Sequence, residues 1–196
     1  MSILYLLKRL YWDLKDPASR FLYLNTLLMN VPGTFGMELR SRLLPRHFKT
    51  CGSGVLISEG VRFRGVEFLE VGNNVRFGVD NFINAGGGIK IGDDTMLGPG
   101  VKIWSLNHRY EDVTVPIPDQ GYRYDPVLIG KGVWLGASVF VMPGVSIPDG
   151  CIVSASTVVI KKTYKPYSLL AGNPCRIIGT RLRSTTAPPD NNAQHH

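Results

Sequence analysis

The sequence predicts an all-β domain, a parallel β-helix, that follows an N-terminal α-helical extension. The first observation is an aliphatic residue at every sixth position in the second half of the chain, a period that neither an α-helix nor an alternating strand produces. These positions are Ile129, Leu135, Val141, Ile147, Val153 and Val159. The second observation is a small or β-branched residue four positions after each of the first five, at Val133, Val139, Val145, Cys151 and Thr157. Two of every six side chains are therefore predicted to face inward.

The same register continues upstream and sets the length of the β-helix. Its inward positions there are Ile57, Phe63, Val71, Phe77, Ile83, Ile91, Leu97 and Ile103. Three short strands joined by corners need about 18 residues for one coil, and successive coils stack at the spacing of parallel strands. Glycine often follows the inward aliphatic, where a corner needs either unusual dihedral angles or a close approach of two backbones. The intervals 63–71 and 83–91 span eight residues instead of six and predict bulged corners.

One interruption of the register is much longer. Ile103 and Ile129 are 26 residues apart, so about 20 residues leave the coil before the period resumes. A loop of this length, 104–127, usually has a function or is disordered. It contains tyrosines, several acidic residues and His108, the only histidine of the repeat region. We therefore expect the chemistry of this protein to be located in this loop.

Four short motifs carry a resemblance to a known family. They are Asn107-His108, Pro116-Ile117 with Gln120-Gly121, Val133-Trp134-Leu135-Gly136 and Ala171-Gly172-Asn173-Pro174. Together they resemble the hexapeptide-repeat acyltransferases, in the branch of the galactoside, maltose and nodulation-factor O-acetyltransferases and their polysaccharide-modifying relatives. The resemblance covers about 55–183. It implies a left-handed β-helix, a homotrimer with active sites between neighbouring subunits, and acetyl-coenzyme A as the acyl donor.

The resemblance also implies roles for individual residues near the acceptor. His108 matches the general base of the family, and a neutral imidazole can remove the proton of an acceptor hydroxyl as its oxygen attacks the thioester. Asn107, beside it, and Asn84, at a bulged corner, are candidate acceptor-binding residues. Asparagine also stabilises tight corners, so both interpretations of Asn84 remain open. The backbone amides of Gly136 and Ala137 are the candidate donors to the oxyanion.

Charge indicates where the donor would bind. Residues 150–189 contain no acidic residue but six basic ones, at the end of the repeat where coenzyme A would present its phosphates. The candidate cofactor-binding cations are Lys161, Lys162, Arg176 and Arg181. The alternative is a solvated basic tail. Ser154 and Ala155 are small enough to admit the pantetheine arm, although a tight corner would require the same residue types.

Two departures from the galactoside and maltose enzymes concern the acceptor. Gly78 and Gly86 occupy positions at which those enzymes have polar residues that contact the acceptor. The sugar must therefore be held differently in this protein. The run Gly86-Gly87-Gly88 either allows the corner to bulge or opens room for a larger acceptor.

The favoured function is acetyl-coenzyme A-dependent O-acetylation of a sugar hydroxyl, in surface polysaccharide or glycolipid synthesis. N-acetylation of an amino sugar or nucleotide amino sugar is the enzymatic alternative, and an inert β-helical scaffold is the non-enzymatic one. A zinc enzyme on this scaffold would need three histidines around the metal, and the repeat has one, so no metal is expected. The net charge of +7 comes from the two ends of the chain, without a nucleic-acid-binding motif.

The ends of the chain differ from the repeat. Residues 1–50 form the predicted helical extension, 51–183 the β-helix domain and 184–196 a disordered tail. Apolar residues recur at helical spacing over 3–14, and a second apolar segment, 21–29, is interrupted by Asn25. Such helices either cap the β-helix or a neighbouring subunit, or contact a membrane surface peripherally. Three scattered cysteines give no disulfide framework. With no recognisable signal peptide, we expect a cytoplasmic protein, with peripheral binding to the inner face of the membrane as the open alternative.

Overall fold

The computed structural model describes residues 2–182, which form three helices followed by a parallel β-helix. The helices are α1 (Ile3–Lys15), α2 (Pro17–Met29) and α3 (Gly33–Leu43), followed by a 3-10 turn at Leu44–His47. Side chains at the N-caps begin the first two helices: Ser2 accepts from the Tyr5 amide, and Asp16 accepts from the Ser19 amide at 2.7 Å. None of these helices is long and apolar enough to cross a bilayer.

Five coils follow, and each contributes one strand to each of three parallel walls. The first wall contains β1 (Thr50–Cys51), β4 (Leu69–Val71), β7 (Ile89–Ile91), β12 (Val127–Ile129) and β15 (Ser146–Ile147). The second contains β2 (Leu56–Ile57), β5 (Arg76–Phe77), β8 (Met96–Leu97), β13 (Trp134–Leu135) and β16 (Ile152–Val153), extended by β18 (Ser168–Ala171) and β19 (Arg176–Thr180). The third contains β3 (Arg62–Arg64), β6 (Phe82–Asn84), β9 (Lys102–Trp104), β14 (Phe140–Val141) and β17 (Val158–Val159).

The core follows the hexapeptide register. Every inward aliphatic or aromatic position named from the sequence is buried, from Ile57 to Val159. The five small or β-branched residues named in the second half of the chain are buried as well, including Cys151 and Thr157. Parallel pairing keeps equivalent positions aligned, as in Leu97 beside Leu135. The predicted fold class, a parallel β-helix of hexapeptide repeats with N-terminal helices, is therefore confirmed. Aligned aliphatic side chains of successive coils form its single continuous core.

The glycines after the inward aliphatics are explained by close approach of backbones. A Cβ on Gly136 would lie 2.7 Å from the Ala155 amide nitrogen, and one on Gly98 would lie 2.8 Å from the Ala137 nitrogen. The left-handed backbone conformations occur two residues later, for example at Ser138. Of the two reasons that the sequence leaves open, backbone approach is therefore the one that applies to these positions.

The second and third helices cap the open end of the first coil. The backbone N–H and C=O groups at the outer edge of this coil have no preceding coil to pair with. Side chains from the helices form hydrogen bonds with some of these groups instead. Buried Asn25 donates to the Val61 carbonyl and accepts from the Phe63 amide at 3.0 Å. Buried Arg40 donates to the Ile57 carbonyl at 3.1 Å. The capping function predicted for the helical extension is thus performed by α2 and α3.

Helix α1 does not take part in this cap. None of its residues is buried, and its hydrogen bond to the rest of the protein runs from the Tyr23 hydroxyl to Asp13. At the other end, the antiparallel pair β18–β19 extends the second wall. The predicted tail 184–196 and Arg183 lie outside the described residues. The proposed domain boundary near residue 50 remains a prediction, with helices ending at His47 and β1 beginning at Thr50.

Candidate active site

The long interruption of the register is a β-hairpin that projects from a corner of the third coil. Strands β10 (Leu106–His108) and β11 (Tyr122–Tyr124) pair in antiparallel fashion. Arg123 braces the hairpin, because its Nε donates to Asp125 at the hairpin base at 2.7 Å and its guanidinium lies 3.7 Å from Glu111. The interaction with Asp125 raises the pKa of Arg123.

The tip of the hairpin is held by its own polar side chains. Gln120 donates to the carbonyls of Asp112 and Val115 at 2.7 and 2.8 Å, and its side-chain oxygen accepts from the Asp112 amide. The Thr114 side chain and amide bond to Asp112 and lower the pKa of its carboxyl group. The loop is therefore ordered by local hydrogen bonds, without help from the core.

His108 lies at the end of β10, exposed and opposite Tyr122. The two rings are 4.5 Å apart between centroids and inclined by 38°. Asn107 accepts from the His108 backbone amide through its side-chain oxygen at 3.0 Å. Within residues 2–182, neither imidazole nitrogen forms a hydrogen bond, so both are open to a ligand. Stacking on Tyr122 orients the ring, and the Asn107 contact fixes the backbone beneath it.

His108 lines a cavity of about 760 Å³. Asn84 and Asn107 line the same cavity, so the structure brings together the three residues that the sequence predicts at the acceptor. Most of the remaining lining comes from aromatic side chains and the backbone of corners. These residues are Gly65, Glu67, Phe68, Gly86, Trp104, Leu106, Tyr122 and Tyr124. A concave site with aromatic walls and a few polar groups is typical of a small-molecule site.

The cavity forms because irregular corners of three successive coils are stacked. The first coil contributes the turn at Val66–Phe68, the second contributes residues 85–88 and the third contributes the hairpin. A Cβ on Gly87 would overlap the carbonyl oxygen of Ser105, and one on Gly86 would meet the Leu106 side chain. The glycine run is therefore required by packing of the second corner against the third, which accounts for the bulge.

A second cavity of about 510 Å³ adjoins the first and shares Phe68, Gly86 and Tyr124 with it. Lys49, Glu70 and Lys90 line its far part. Glu70 lies 2.7 Å from the Lys49 ammonium and 3.7 Å from that of Lys90, and Lys49 makes the larger contribution to lowering the pKa of Glu70. The space available beside His108 thus continues towards a charged region.

The predicted donor residues lie at a different corner of the same chain. Gly136 and Ala137 follow the second wall in the fourth coil, and Ser154 and Ala155 lie directly above them in the fifth. The third wall separates this corner from the hairpin. The Gly136 amide donates to the Val153 carbonyl at 2.8 Å. Gly136 is therefore unavailable as the oxyanion donor that the sequence suggested, because the ladder between coils uses its N–H group.

The four predicted cations are distributed around the end of the β-helix. Lys161 lies beside the hairpin base, since both its side chain and that of Asp125 would contact a Cβ on Gly144. Lys162 follows it in the chain. Arg176 begins β19, and Arg181 donates from Nη1 to the Gly150 carbonyl at 2.8 Å, at another corner. One chain therefore does not gather all four cations into a single surface.

The sequence did not identify Glu67 and Phe68 as site residues. Both lie in the 3-10 turn of the first coil and line the cavity. The eight-residue interval 63–71 predicted a bulged corner at these residues. It did not predict that this corner would lie beside His108. Among residues 2–182, no cluster of three or more histidine, cysteine or acidic side chains could hold a metal ion.

Residues 126–161 match the family model described as the hexapeptide repeat of succinyl-transferase. This segment contains the fourth and fifth coils from β12 to β17. The match agrees with the ladder of inward side chains in these two coils. Residues 126–161 therefore carry the repeat that this family model describes, as the resemblance to hexapeptide-repeat acyltransferases predicts.

Proteins similar to this chain include some named as acetyltransferases. The galactoside O-acetyltransferase of Escherichia coli K12 is 29% identical over 143 residues, which covers 72% of this chain and 68% of that protein. A probable acetyltransferase of Mycobacterium tuberculosis is 36% identical over 85 residues, or 43% of this chain. The chain spans only 28% of the length of the latter protein.

A solved structure of a galactoside acetyltransferase in complex with coenzyme A has the same fold. It superimposes with a TM-score of 0.71 and is 25% identical, covering 84% of this chain and 82% of that one. The fold of this chain is therefore shared, over that span, with a protein whose solved structure contains coenzyme A.

Proposed function

We propose that this protein is an acetyl-coenzyme A-dependent O-acetyltransferase that modifies a sugar hydroxyl, with His108 as the general base. The observation that carries this proposal is the aromatic-walled cavity in which His108, Asn84 and Asn107 meet. The proposal is also supported by the match to the hexapeptide repeat and by the similarity of the chain to galactoside acetyltransferases. The acceptor belongs to surface polysaccharide or glycolipid synthesis, and the enzyme works in the cytoplasm.

The exposed imidazole suits proton removal from a weakly acidic hydroxyl. A sugar hydroxyl ionises too weakly to attack as an alkoxide, so loss of its proton to His108 accompanies attack of its oxygen on the thioester carbonyl. The tetrahedral intermediate then expels the coenzyme A thiolate, which recovers a proton from the imidazolium. Stacking on Tyr122 holds the ring during both transfers. Asn84 supplies an amide that can orient the acceptor, and the Ala137 amide is the remaining candidate oxyanion donor.

The separation of the two groups of residues supports a site shared between subunits. His108 lies at the corner between the third and first walls, whereas Ser154 and Ala155 lie between the second and third. We infer a homotrimer in which the donor bound along one subunit meets the hairpin of its neighbour. Lys161 and Lys162, near the hairpin base, contact the phosphates of coenzyme A.

The first experiment compares coenzyme A release from acetyl-coenzyme A by the wild type and by His108→Ala, across sugars, amino sugars and nucleotide sugars. We expect His108→Ala to lower turnover by about two to four orders of magnitude and to leave coenzyme A binding intact. His47→Ala is the matched control, because His47 packs against Phe21 and does not line the cavity of His108. If His108→Ala lowered the melting temperature enough to explain the lost turnover by unfolding, the role of His108 as a base would be refuted.

The same panel separates the alternative functions. Turnover with amines but with no hydroxyl acceptor would establish the N-acetyltransferase. An absence of both turnover and coenzyme A binding would establish the inert scaffold. Lys161→Ala combined with Lys162→Ala should raise the Michaelis constant of the donor and leave that of the acceptor nearly unchanged. An unchanged donor constant would exclude these lysines from phosphate binding.

The shared site can be tested by mixing two inactive variants. Ser154→Trp should block the donor corner, and His108→Ala should remove the base, so each variant alone is expected to be inactive. Co-expressed in one oligomer, the two should restore activity, because some interfaces would combine an intact donor corner with an intact hairpin. Mixed oligomers without activity would argue that each site lies within one chain.

A further inference from the structure

Helix α1 presents an apolar face that nothing in the described structure covers. Six aliphatic side chains form this face, and their exposed fractions range from 78% for Ile3 to 39% for Leu10. The face consists of Ile3, Leu4, Leu6, Leu7, Leu10 and Leu14. Within residues 2–182, α1 contacts α2 on the side of Asp13, which accepts from the Tyr23 hydroxyl. The apolar side chains nevertheless remain exposed, so the cap that α2 and α3 form does not cover them.

The arrangement of charges around this face is asymmetric. With about 100° between successive residues, the six aliphatic side chains cover an arc of roughly 160°. Lys8 and Lys15 follow directly at one edge of the arc. The Lys15 ammonium lies 4.6 Å from the centre of the Tyr11 ring and 5.7 Å from that of Trp12. Arg9 adds a third cation to α1, and Asp13 is its single acidic residue.

The surrounding extension has the same sign of charge. Residues 1–50 contain eight basic and three acidic residues, so the apolar face lies in a cationic part of the molecule. Two copies that met through this region would bring like charges together, which disfavours pairing of α1 with itself. An anionic surface would instead gain attraction from the same cations, and it would accept the apolar side chains.

We propose that α1 binds the surface of a membrane that contains anionic lipids. The helix lies in the plane of the interface, with its leucines among the acyl chains and its lysines at the head groups. Tyr11 and Trp12 combine apolar rings with polar atoms, which suits the boundary between the two layers. This binding is peripheral, since α1 cannot cross a bilayer.

Membrane binding would also bring the candidate active site close to the lipid surface. Asp16 and Pro17, at the bend between α1 and α2, line a small cavity together with Glu67, and Glu67 also lines the cavity of His108. If the proposed acetyltransferase function holds, an acceptor attached to a lipid could enter this cavity from the bilayer. This consequence rests on the proposed function, whereas the membrane contact itself does not.

Flotation of the full-length protein with lipid vesicles tests the contact directly. Vesicles that contain phosphatidylglycerol should bind the protein at least about tenfold more strongly than vesicles of phosphatidylcholine alone. Added salt should weaken this binding, because it screens the attraction between lysines and head groups. Equal binding to both kinds of vesicle, or binding to neither, would overturn the proposal. The readout requires no enzymatic activity, so it is independent of the role of His108.

Two leucines of equal exposure provide a matched pair of variants. Leu4 in α1 and Leu27 in α2 are each 75% exposed. Leu4→Glu should weaken vesicle binding about tenfold or more, and Leu27→Glu should leave it unchanged. Lys8→Glu combined with Lys15→Glu should abolish the preference for anionic lipid. Equal effects of the two leucine variants would refute the role of α1. A change in oligomer mass on Leu4→Glu, without vesicle binding by the wild type, would instead assign the face to a second copy.

Discussion

Replacement of Arg40 tests whether helical side chains substitute for a missing coil. The guanidinium is 1% exposed and donates to the carbonyls of Ile57, Val31 and Leu28 at 3.1, 2.7 and 3.0 Å. Burial lowers the pKa of Arg40. The Leu28 carbonyl retains a bond from the Val31 amide. Arg40→Met therefore leaves the buried Ile57 carbonyl and the partly buried Val31 carbonyl without their side-chain donor.

The expected cost follows from these two groups. A buried acceptor that loses its donor costs about 1–3 kcal/mol, and removal of the buried charge recovers part of the sum. We expect a net destabilisation of roughly 2–4 kcal/mol, which corresponds to a fall of roughly 5–15 °C in melting temperature for a chain of this size. Thermal unfolding followed by circular dichroism measures this shift.

Arg42→Met is the matched control. Arg42 lies on the same helix, but its side chain is exposed and pairs with Glu38 at 2.7 Å. An exposed pair of this kind contributes about 0.3–0.5 kcal/mol, so the melting temperature should fall by no more than a degree or two. If Arg40→Met were no more destabilising than Arg42→Met, the guanidinium would not be holding the edge of the first coil, and the capping argument would fail.

Three further predictions concern the site and the corners. Gly87→Ala should destabilise the protein by about 1–3 kcal/mol, because the new Cβ overlaps the carbonyl oxygen of Ser105; an unchanged melting temperature would contradict this. Tyr122→Leu should lower turnover about tenfold to a hundredfold with little change in the donor Michaelis constant, because His108 loses its stacking partner; undiminished turnover would show that the stack does not position the base. The Asn73 amide and the Lys131 ammonium lower the pKa of Asp93, so the stability its charge contributes is present above about pH 4 and lost as the pH falls further; the melting temperatures of wild type and Asp93→Asn should differ above pH 4 and converge below it.

The sequence predicted the core more completely than the cap. Inward positions could be identified because the coil imposes a strict period on side chains that must be buried, and this period continued across the hairpin. Asn25, by contrast, interrupts an apolar segment in the sequence, yet it is buried and joins α2 to the first coil. Its side chain forms hydrogen bonds with the backbone of Val61 and Phe63, and only the tertiary structure brings these residues close to Asn25. No local pattern distinguishes such an asparagine from one that faces solvent.

Residues of the candidate site were predictable to different extents. His108 and Asn107 were identified because a motif marks them, and the cavity contains both. The Gly136 amide was suggested as an oxyanion donor, but it donates to the Val153 carbonyl. Alternate backbone amides form such hydrogen bonds between successive coils. The distribution of Lys161 and Arg181 over different corners could not be read from their separation in sequence, because the chain crosses the end of the β-helix between them.

The position of the cavity, however, was implicit in the spacing of the repeat. Three strands make one coil, so the intervals 63–71, 83–91 and 103–129 all connect the third wall to the first. Each of these intervals exceeds six residues, and coils stack in register, so the extra residues must accumulate at one corner. The backbones of neighbouring bulges pack closely at Gly87, so the additional residues project outward from the ladder. A concave site between them is the geometric result, and the longest of the three places His108 above the two shorter ones.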